Sequence, residues 1–484
     1  MNRNFLPSRK HVGARQAWTR REALVGLGVG AASLASTGHW LAAGELAPPI
    51  DLTRTNSYGI PLAYSNGLEP KIKRVVFLNM TGGTPQMDLV DSKPALRLRD
   101  GKPLPPSVFT PNERFANVTP ESKALGSPYR FKKYGDAAMT FSELLPNMSG
   151  LADRICMIHS MTSPEINHPA AQQLFQTGFP RPGRPSIGSW LTYALGTPSE
   201  DLPGFVLLQS GEGCECGREC SDSGFLPKQY QSVRLSTGDP AIFYLDNPQG
   251  ISDDIRRQTI DAIADLNRIE SRRFADPSID SRTEMYRQVL RLQRSVPEAT
   301  ELADEPQRVL DAYGAKVGEL SYAANCVLAR RLLERGVRFV QLNHGDWDLH
   351  GKIFERLPDR AYEIDQGTTA LVLDLEQSGL LDDTLVIWGT EFGRTPIAQG
   401  EDGRDHHKSF SIWLAGGGIK RAHIHGATDP FGFNVIESPV TPHDLQATIL
   451  HLLGIDHEKL TYEHEGRRYR LTDIYGSVRE ELLA

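Results

Sequence analysis

Short runs of apolar, largely β-branched or aromatic residues recur along the chain, bounded by Gly or by charged side chains. Lys73–Asn79, Arg154–His159, Phe205–Leu208, Val337–Leu342, Leu385–Trp388 and Phe410–Ala415 are too short for helices and apolar on both faces, the pattern of strands buried inside a sheet. Between them lie stretches with apolar residues at three- and four-residue spacing: Ala170–Gln176, Ser186–Leu195, Ile251–Asn267, Arg282–Arg294, Leu320–Arg335, Ala361–Gln377 and His443–Leu453. These predict helices, and Ser142–Leu151 is expected to be helical too. Residues 100–135, rich in Pro, Lys and Arg without period, read as loop. The alternation predicts an α/β fold, a doubly wound and mostly parallel sheet with helices on both faces. The largely helical segment at about 210–335 is a candidate cap or insertion within a single domain spanning 45–484.

The first 44 residues stand apart. Arg20-Arg21 precede a mildly apolar, Gly/Ala-rich run ending near Leu41-Ala42-Ala43, which fits a twin-arginine signal peptide. The run is too short to span a bilayer, which takes about 20 apolar residues. The expected location is therefore periplasmic or secreted. Six Lys/Arg and one Glu lie in this leader, so its removal takes the net charge from −7 to −12. An acidic body without a basic patch argues against nucleic acid as partner.

Metal-ligand side chains gather where the predicted strands end. Asp88 follows the first strand through the Gly-rich turn Gly82-Gly83, at the strand end where open α/β sheets bind ligands. Asp346, Asp348 and His350 follow Val337–Leu342, and Glu391, Asp405, His406 and His407 lie between the last two apolar runs. Carboxylates and imidazoles converging from several strand ends suit a divalent ion such as Zn²⁺, Mn²⁺ or Ca²⁺. Each of these residues, taken singly, also fits a polar loop or a turn. Pro169 suits the first helical position, which makes His168 an N-cap at the positive end of Ala170–Gln176. Of five cysteines, Cys214, Cys216 and Cys220 crowd into GEGCECGREC. A soft-metal site and a local disulfide with one thiol left over both fit.

The motifs Gly82-Gly83-x-x-Gln86-x-Asp88-x-x-Asp91, Asn167-His168, Thr177-Gly178, Arg184-Pro-Ser-Ile-Gly-Ser-Trp190, Trp347-Asp348-x-His350-Gly351, Glu391-Phe-Gly-Arg394-Thr-Pro396, Gly403-Arg-Asp405-His406-His407 and His443-Asp-Leu-Gln446 follow one another through nearly the whole mature chain. In this the chain resembles a large family of exported bacterial proteins of unknown function, sulfatase-like and placed in the alkaline phosphatase superfamily. The resemblance implies a metal-centred hydrolase. It makes Asp88 the first-strand ligand, Asp348 and His350 (with Asp346) the middle ligands, and His406 or His407 the late histidine. Glu391 stands where the superfamily has Asp-His, with Phe392 in place of the imidazole. His168 falls at the nucleophile position, and no Cys-x-Pro-Ser-Arg is present, so formylglycine chemistry is not implied.

The expected activity is metal-assisted hydrolysis of sulfate or phosphate esters, with sulfated polysaccharide as one substrate class. Attack would come from metal-activated water or from His168, with Arg184 or Arg394 neutralising the oxyanion. His168 fits a ligand, a catalytic group or a simple cap. The alternative is a superfamily member that has lost catalysis and serves as a binding or cell-envelope assembly protein.

Overall fold

The computed structural model describes residues 52–109, 115, 117–238, 241–242, 247, 249–274 and 277–484. The expected leader, 1–44, lies outside them. Ten strands position the site: β1 Arg74–Met80, β2 Ile155–Thr162, β3 Phe205–Ser210, β4 Val233–Arg234, β5 Phe339–His344, β6 Thr384–Gly389, β7 Gly393–Gln399, β8 Gly403–His407, β9 Ser409–Gly416 and β10 His423–His425. All but β7 and β8 join one eight-stranded sheet, in the order β10-β2-β9-β6-β1-β5-β3-β4. β1 pairs in parallel with both β5 and β6, β5 with β3, and β2 with β10. Only β9 runs backwards in this sheet, antiparallel to both β6 and β2. The sheet is therefore mixed, dominated by parallel pairs, and flanked by helices.

Alternation along β1 shows why both faces are covered. Val76, Leu78 and Met80 enter the large core shared with helices α5 (Tyr322–Glu334) and α6 (Ile353–Gln377). Phe77 points the other way and stacks on Phe175, with ring centroids 5.5 Å apart. That ring belongs to α1 (His168–Thr177), beside Ile187 of α2 (Ile187–Leu195) and Leu445 of α7 (Pro442–Leu452). Burying one such side chain contributes about 2–3 kcal/mol, so a strand apolar on both faces is held from two directions. The helical insertion is the pair α3 (Asp253–Phe274) and α4 (Pro277–Thr300), which pack on each other. Within the 210–335 segment, α5 is buried against β3 and β5 and belongs to the core layer.

Two local expectations change. Ser142–Leu151 is not a helix: Met139–Ser142 pairs with Phe131–Tyr134, and only Met148–Leu151 turns, as a 3₁₀ helix. Pro146 and Gly150 interrupt the register that a longer helix would need. His168 is the first residue of α1 rather than its cap. Asn167, with extended backbone, takes the cap position, and Pro169 fills the first turn.

Because β1, β2, β3, β5 and β6 are aligned, their carboxyl ends share one rim of the sheet, and the reversed β9 begins there. The segments leaving this rim carry His168, the cysteine loop, Asp348, His350 and Glu391. The antiparallel hairpin β7–β8, which precedes β9, places His406 opposite Arg394.

Candidate metal centre

Four side chains from three of these segments meet: His168, Asp348, His350 and His406. Each offers a donor atom, and all four atoms lie within 4.8 Å of one another. Asp348 Oδ1 is 3.2 Å from His168 Nε2, 2.9 Å from His350 Nε2 and 3.3 Å from His406 Nε2. His350 Nε2 and His406 Nε2 stand 2.9 Å apart. Donors each about 2.0–2.2 Å from a common ion can be at most about 4.4 Å from one another, so these pairs fit around one ion.

The outer nitrogens decide how the rings present themselves. His406 Nδ1 lies 2.8 Å from the carbonyl oxygen of Ile166, which can only accept, so Nδ1 carries the hydrogen. His168 Nδ1 donates likewise to Glu391 Oε1 at 2.8 Å, and His350 Nδ1 to the amide oxygen of Gln399. All three imidazoles therefore turn Nε2 toward Asp348. Two ring nitrogens 2.9 Å apart need a positive centre between them, which a proton or a metal ion supplies. His168 Nε2 is buried and lacks any aligned hydrogen bond. Imidazoles fixed through Nδ1 by oxygen acceptors, with Nε2 left for an ion, are the usual second layer of a metal site. The four side chains can coordinate a divalent metal.

Electrostatics agree with the geometry. Burial lowers the His168 pKa, but the carboxylates of Asp348 and Glu391 on its two sides outweigh it and raise it to about 9. Burial opposes ionisation of Asp348, yet His168, His350, His406 and Arg394 hold its carboxyl far below the ordinary range. His350 is raised, first by its bond to Asp348, and His406 is lowered by burial. Phe392 packs against both His168 and His406, ring centroids 4.7 Å apart in each case, and keeps water from that side.

The remaining expected residues surround this cluster or lie apart from it. Glu391 is not turned to the cluster. Its carboxylate is filled by His168, the Gly82 N–H at 2.9 Å, Gln172 at 3.1 Å and the Thr390 hydroxyl at 3.0 Å, so it orients the His168 ring. Asp88, expected as a ligand, instead forms a two-point ion pair with Arg404, at 2.7 and 3.1 Å, and neither side chain reaches solvent. Asp346, in the left-handed region at φ 68°, pairs with Arg360 at 3.0 Å. Asp405 is buried 4.0 Å behind His350 Nδ1 and binds Asn117 and the His406 N–H. His407, on the opposite side of β8 from His406, bonds to the Phe433 carbonyl.

Neither arginine expected at the oxyanion is free for that role. Arg394 is fully buried and gives its donors to the carbonyls of Gly82, Gly83, Trp347 and Arg404 and to Asp348. It clamps a ligand. Arg184 lies over the rings of Phe179 and Tyr469, 4.2 and 4.8 Å from their centroids, and 3.5 Å from Asp473. Sequence reasoning missed Gln172 and Gln399. The first had a signal, four residues after His168 on the same helical face. The second had none, since it reaches His350 only through the fold of β7.

The family model of DUF1501, described as a protein of unknown function, matches residues 72–483. The chain belongs to that family. No curated protein matches this DUF1501 chain. Among solved structures it is similar to the lipoteichoic acid synthase LtaP from Listeria monocytogenes, at 10% identity and TM-score 0.35, covering 83% of this chain and 76% of that one. It is similar also to a protein in the alkaline phosphatase superfamily from Vibrio parahaemolyticus (11%, TM-score 0.34, 84% and 72%). A third is the PsFucS1 sulfatase from Pseudoalteromonas sp. (13%, TM-score 0.33, 81% and 69%). Likenesses this distant carry no chemistry to the DUF1501 chain, whose site rests on its own side chains.

Proposed function

We propose that this chain is an exported metal-dependent hydrolase of sulfate or phosphate esters, built on an alkaline phosphatase-like framework. The supporting observation is the convergence of three Nε2 atoms and one carboxylate oxygen, each imidazole fixed from behind. A divalent ion held by His168, Asp348, His350 and His406 would supply Lewis acidity toward an anionic ester and an acidified water. The chain's own groups prepare that chemistry. Glu391 sets the tautomer of His168, Arg394 immobilises Asp348, and Phe392 excludes water from the flank.

His168 commits one nitrogen to Glu391 and turns the other to Asp348, which favours a ligand over a nucleophile. With Arg184 and Arg394 both engaged elsewhere, the positive charge that meets an anionic substrate comes from the ion. Those same engaged arginines support the second reading, a superfamily member that binds but does not turn over. Among the described residues no helix is long and apolar enough to cross a membrane. Export by the twin-arginine route and a periplasmic or secreted location belong to the proposal, as does polysaccharide as carrier of the ester.

Elemental analysis of protein exported with its leader should show at least one divalent ion per chain, lost in a His350→Ala/His406→Ala variant. Metal-free wild type would sink the reading. A panel of aryl sulfates and of phosphate mono- and diesters then tests turnover. Silence across that panel with metal bound would favour the binding protein.

A further inference from the structure

The cysteine loop leaves the same rim, from the end of β3, and neither the ligand set nor the fold accounts for it. Cys216 and Cys220 form a disulfide, and Cys214 is a free thiol. The loop is docked on α1, the helix that carries His168. Gln172 Oε1 accepts from the Cys214 thiol at 2.9 Å and from the Cys216 N–H at 3.1 Å. Gln173 bonds to Glu219 at 2.9 Å. The other end of Gln172 donates to Glu391, so one amide side chain joins the loop to the carboxylate that orients His168. What this attachment places is Glu215, between the two anchored cysteines. Its Oε1 lies 3.9 Å from His168 Nε2, the buried nitrogen without an aligned hydrogen bond. Its side chain is 52% exposed, in contrast to the buried Glu391 on the opposite side of the ring.

Resting on the metal-site reading, we propose that Glu215 is a fifth, swinging donor to the ion, held on α1 by the Gln172 clamp beside the disulfide-closed turn. Glu215 stands outside the four-donor cluster but 3.9 Å from one of its members, so rotation of its half-exposed side chain is what would bring it to the ion. The cluster contributes one carboxylate, Asp348, beside three histidines, and that carboxylate already serves Arg394. A second carboxylate from the solvent side balances a divalent charge and can leave when an anionic substrate enters. The Cys216–Cys220 link closes the turn that begins just after Glu215, and Gln172, bonded to both Cys214 and Cys216, fixes the register of the intervening residue on α1.

The test is Zn²⁺ affinity by competition with a chromophoric chelator, together with the visible spectrum of the Co²⁺-loaded protein. Glu215→Gln should raise the Zn²⁺ Kd about tenfold and change the Co²⁺ band intensities, whereas Glu215→Asp should recover part of the affinity. Cys216→Ser/Cys220→Ser should weaken binding in the same direction, with Glu215→Gln adding little in that background. A Kd and a Co²⁺ spectrum unchanged in Glu215→Gln overturn the assignment, and this variant alters only a half-exposed side chain. Zn²⁺ binding undiminished in His350→Ala/His406→Ala would overturn the site itself, a result distinct from the first.

Discussion

Replacing Asp88 by Asn separates two roles for one buried carboxylate. As counterion to Arg404 it sits with that guanidinium out of contact with water, and each is fully buried. Breaking such a pair by removing one partner costs about 3–5 kcal/mol, because the survivor is left uncompensated. Arg404 also donates to the carbonyls of Thr395 and Leu125, at 3.1 and 3.0 Å, which remain in Asp88→Asn. That variant should therefore fall near the lower end, about 3 kcal/mol. Arg404→Met also removes those two bonds and strands Asp88, so it should fall near about 5 kcal/mol. Total stabilities are about 5–15 kcal/mol, so either loss is a large share. Asp88→Leu/Arg404→Met should cost clearly less than the two single changes summed. Urea unfolding followed by tryptophan fluorescence reads this well, since Trp190, Trp347, Trp388 and Trp413 are all fully buried. Zn²⁺ bound under native conditions should be unchanged in Asp88→Asn. A variant with wild-type unfolding midpoint but no metal would refute the reasoning and return Asp88 to the ligands.

Glu391→Gln should keep an acceptor for His168 yet lower Zn²⁺ affinity by about tenfold or more, measured by chelator competition. Gly82→Ala places a Cβ 2.5 Å from the backbone nitrogen of Asp348 at φ +118°, so Asp348 must move. It should cost roughly 2 kcal/mol or more in urea unfolding and weaken metal binding as well. Thr441→Ala removes one half of the capping box that begins α7 and should cost about 1 kcal/mol. The other half, Asp444, is pushed up by burial but held lower overall by Arg479 and the Thr441 and Ser477 N–H groups. Its folded pKa lies below the unfolded one. Its contribution is therefore present above the unfolded value of 3.8 and lost as pH falls through the folded value. In Asp444→Asn the melting temperature should change less over that acid range than in wild type.

The sheet was legible because its strands are buried on both faces and read as unbroken apolar runs. The β7–β8 hairpin was not, since Arg394, Arg404 and Asp405 interrupt it. Those charges are nonetheless buried, satisfied by partners that no local pattern reveals. Asp88 meets a guanidinium 316 residues further on. In the site, the same limit separates what was seen from what was not. Asp348, His350 and His406 were among eight expected ligands, together with Asp88, Asp346, Glu391, Asp405 and His407. Which carboxylates face the cluster and which turn away depends on the loops between strands. Thus Glu391 lies behind His168, and Asp346 reaches Arg360 from a left-handed backbone. His168 lies one residue inside α1 because Asn167 already occupies the cap position with extended backbone, without a capping bond from its side chain.

One reversed strand changes how the last donor arrives. Parallel neighbours need a crossover to bring the chain back to the same edge. β9 instead starts at that edge, so the path from Glu391 to His406 is a hairpin with no helix in between. Such a short path closes at small entropic cost, and its pairing is local. Assembly of the late histidine is thereby uncoupled from the long helical excursions that precede it, and lengthening α3 and α4 would leave that arm of the cage untouched.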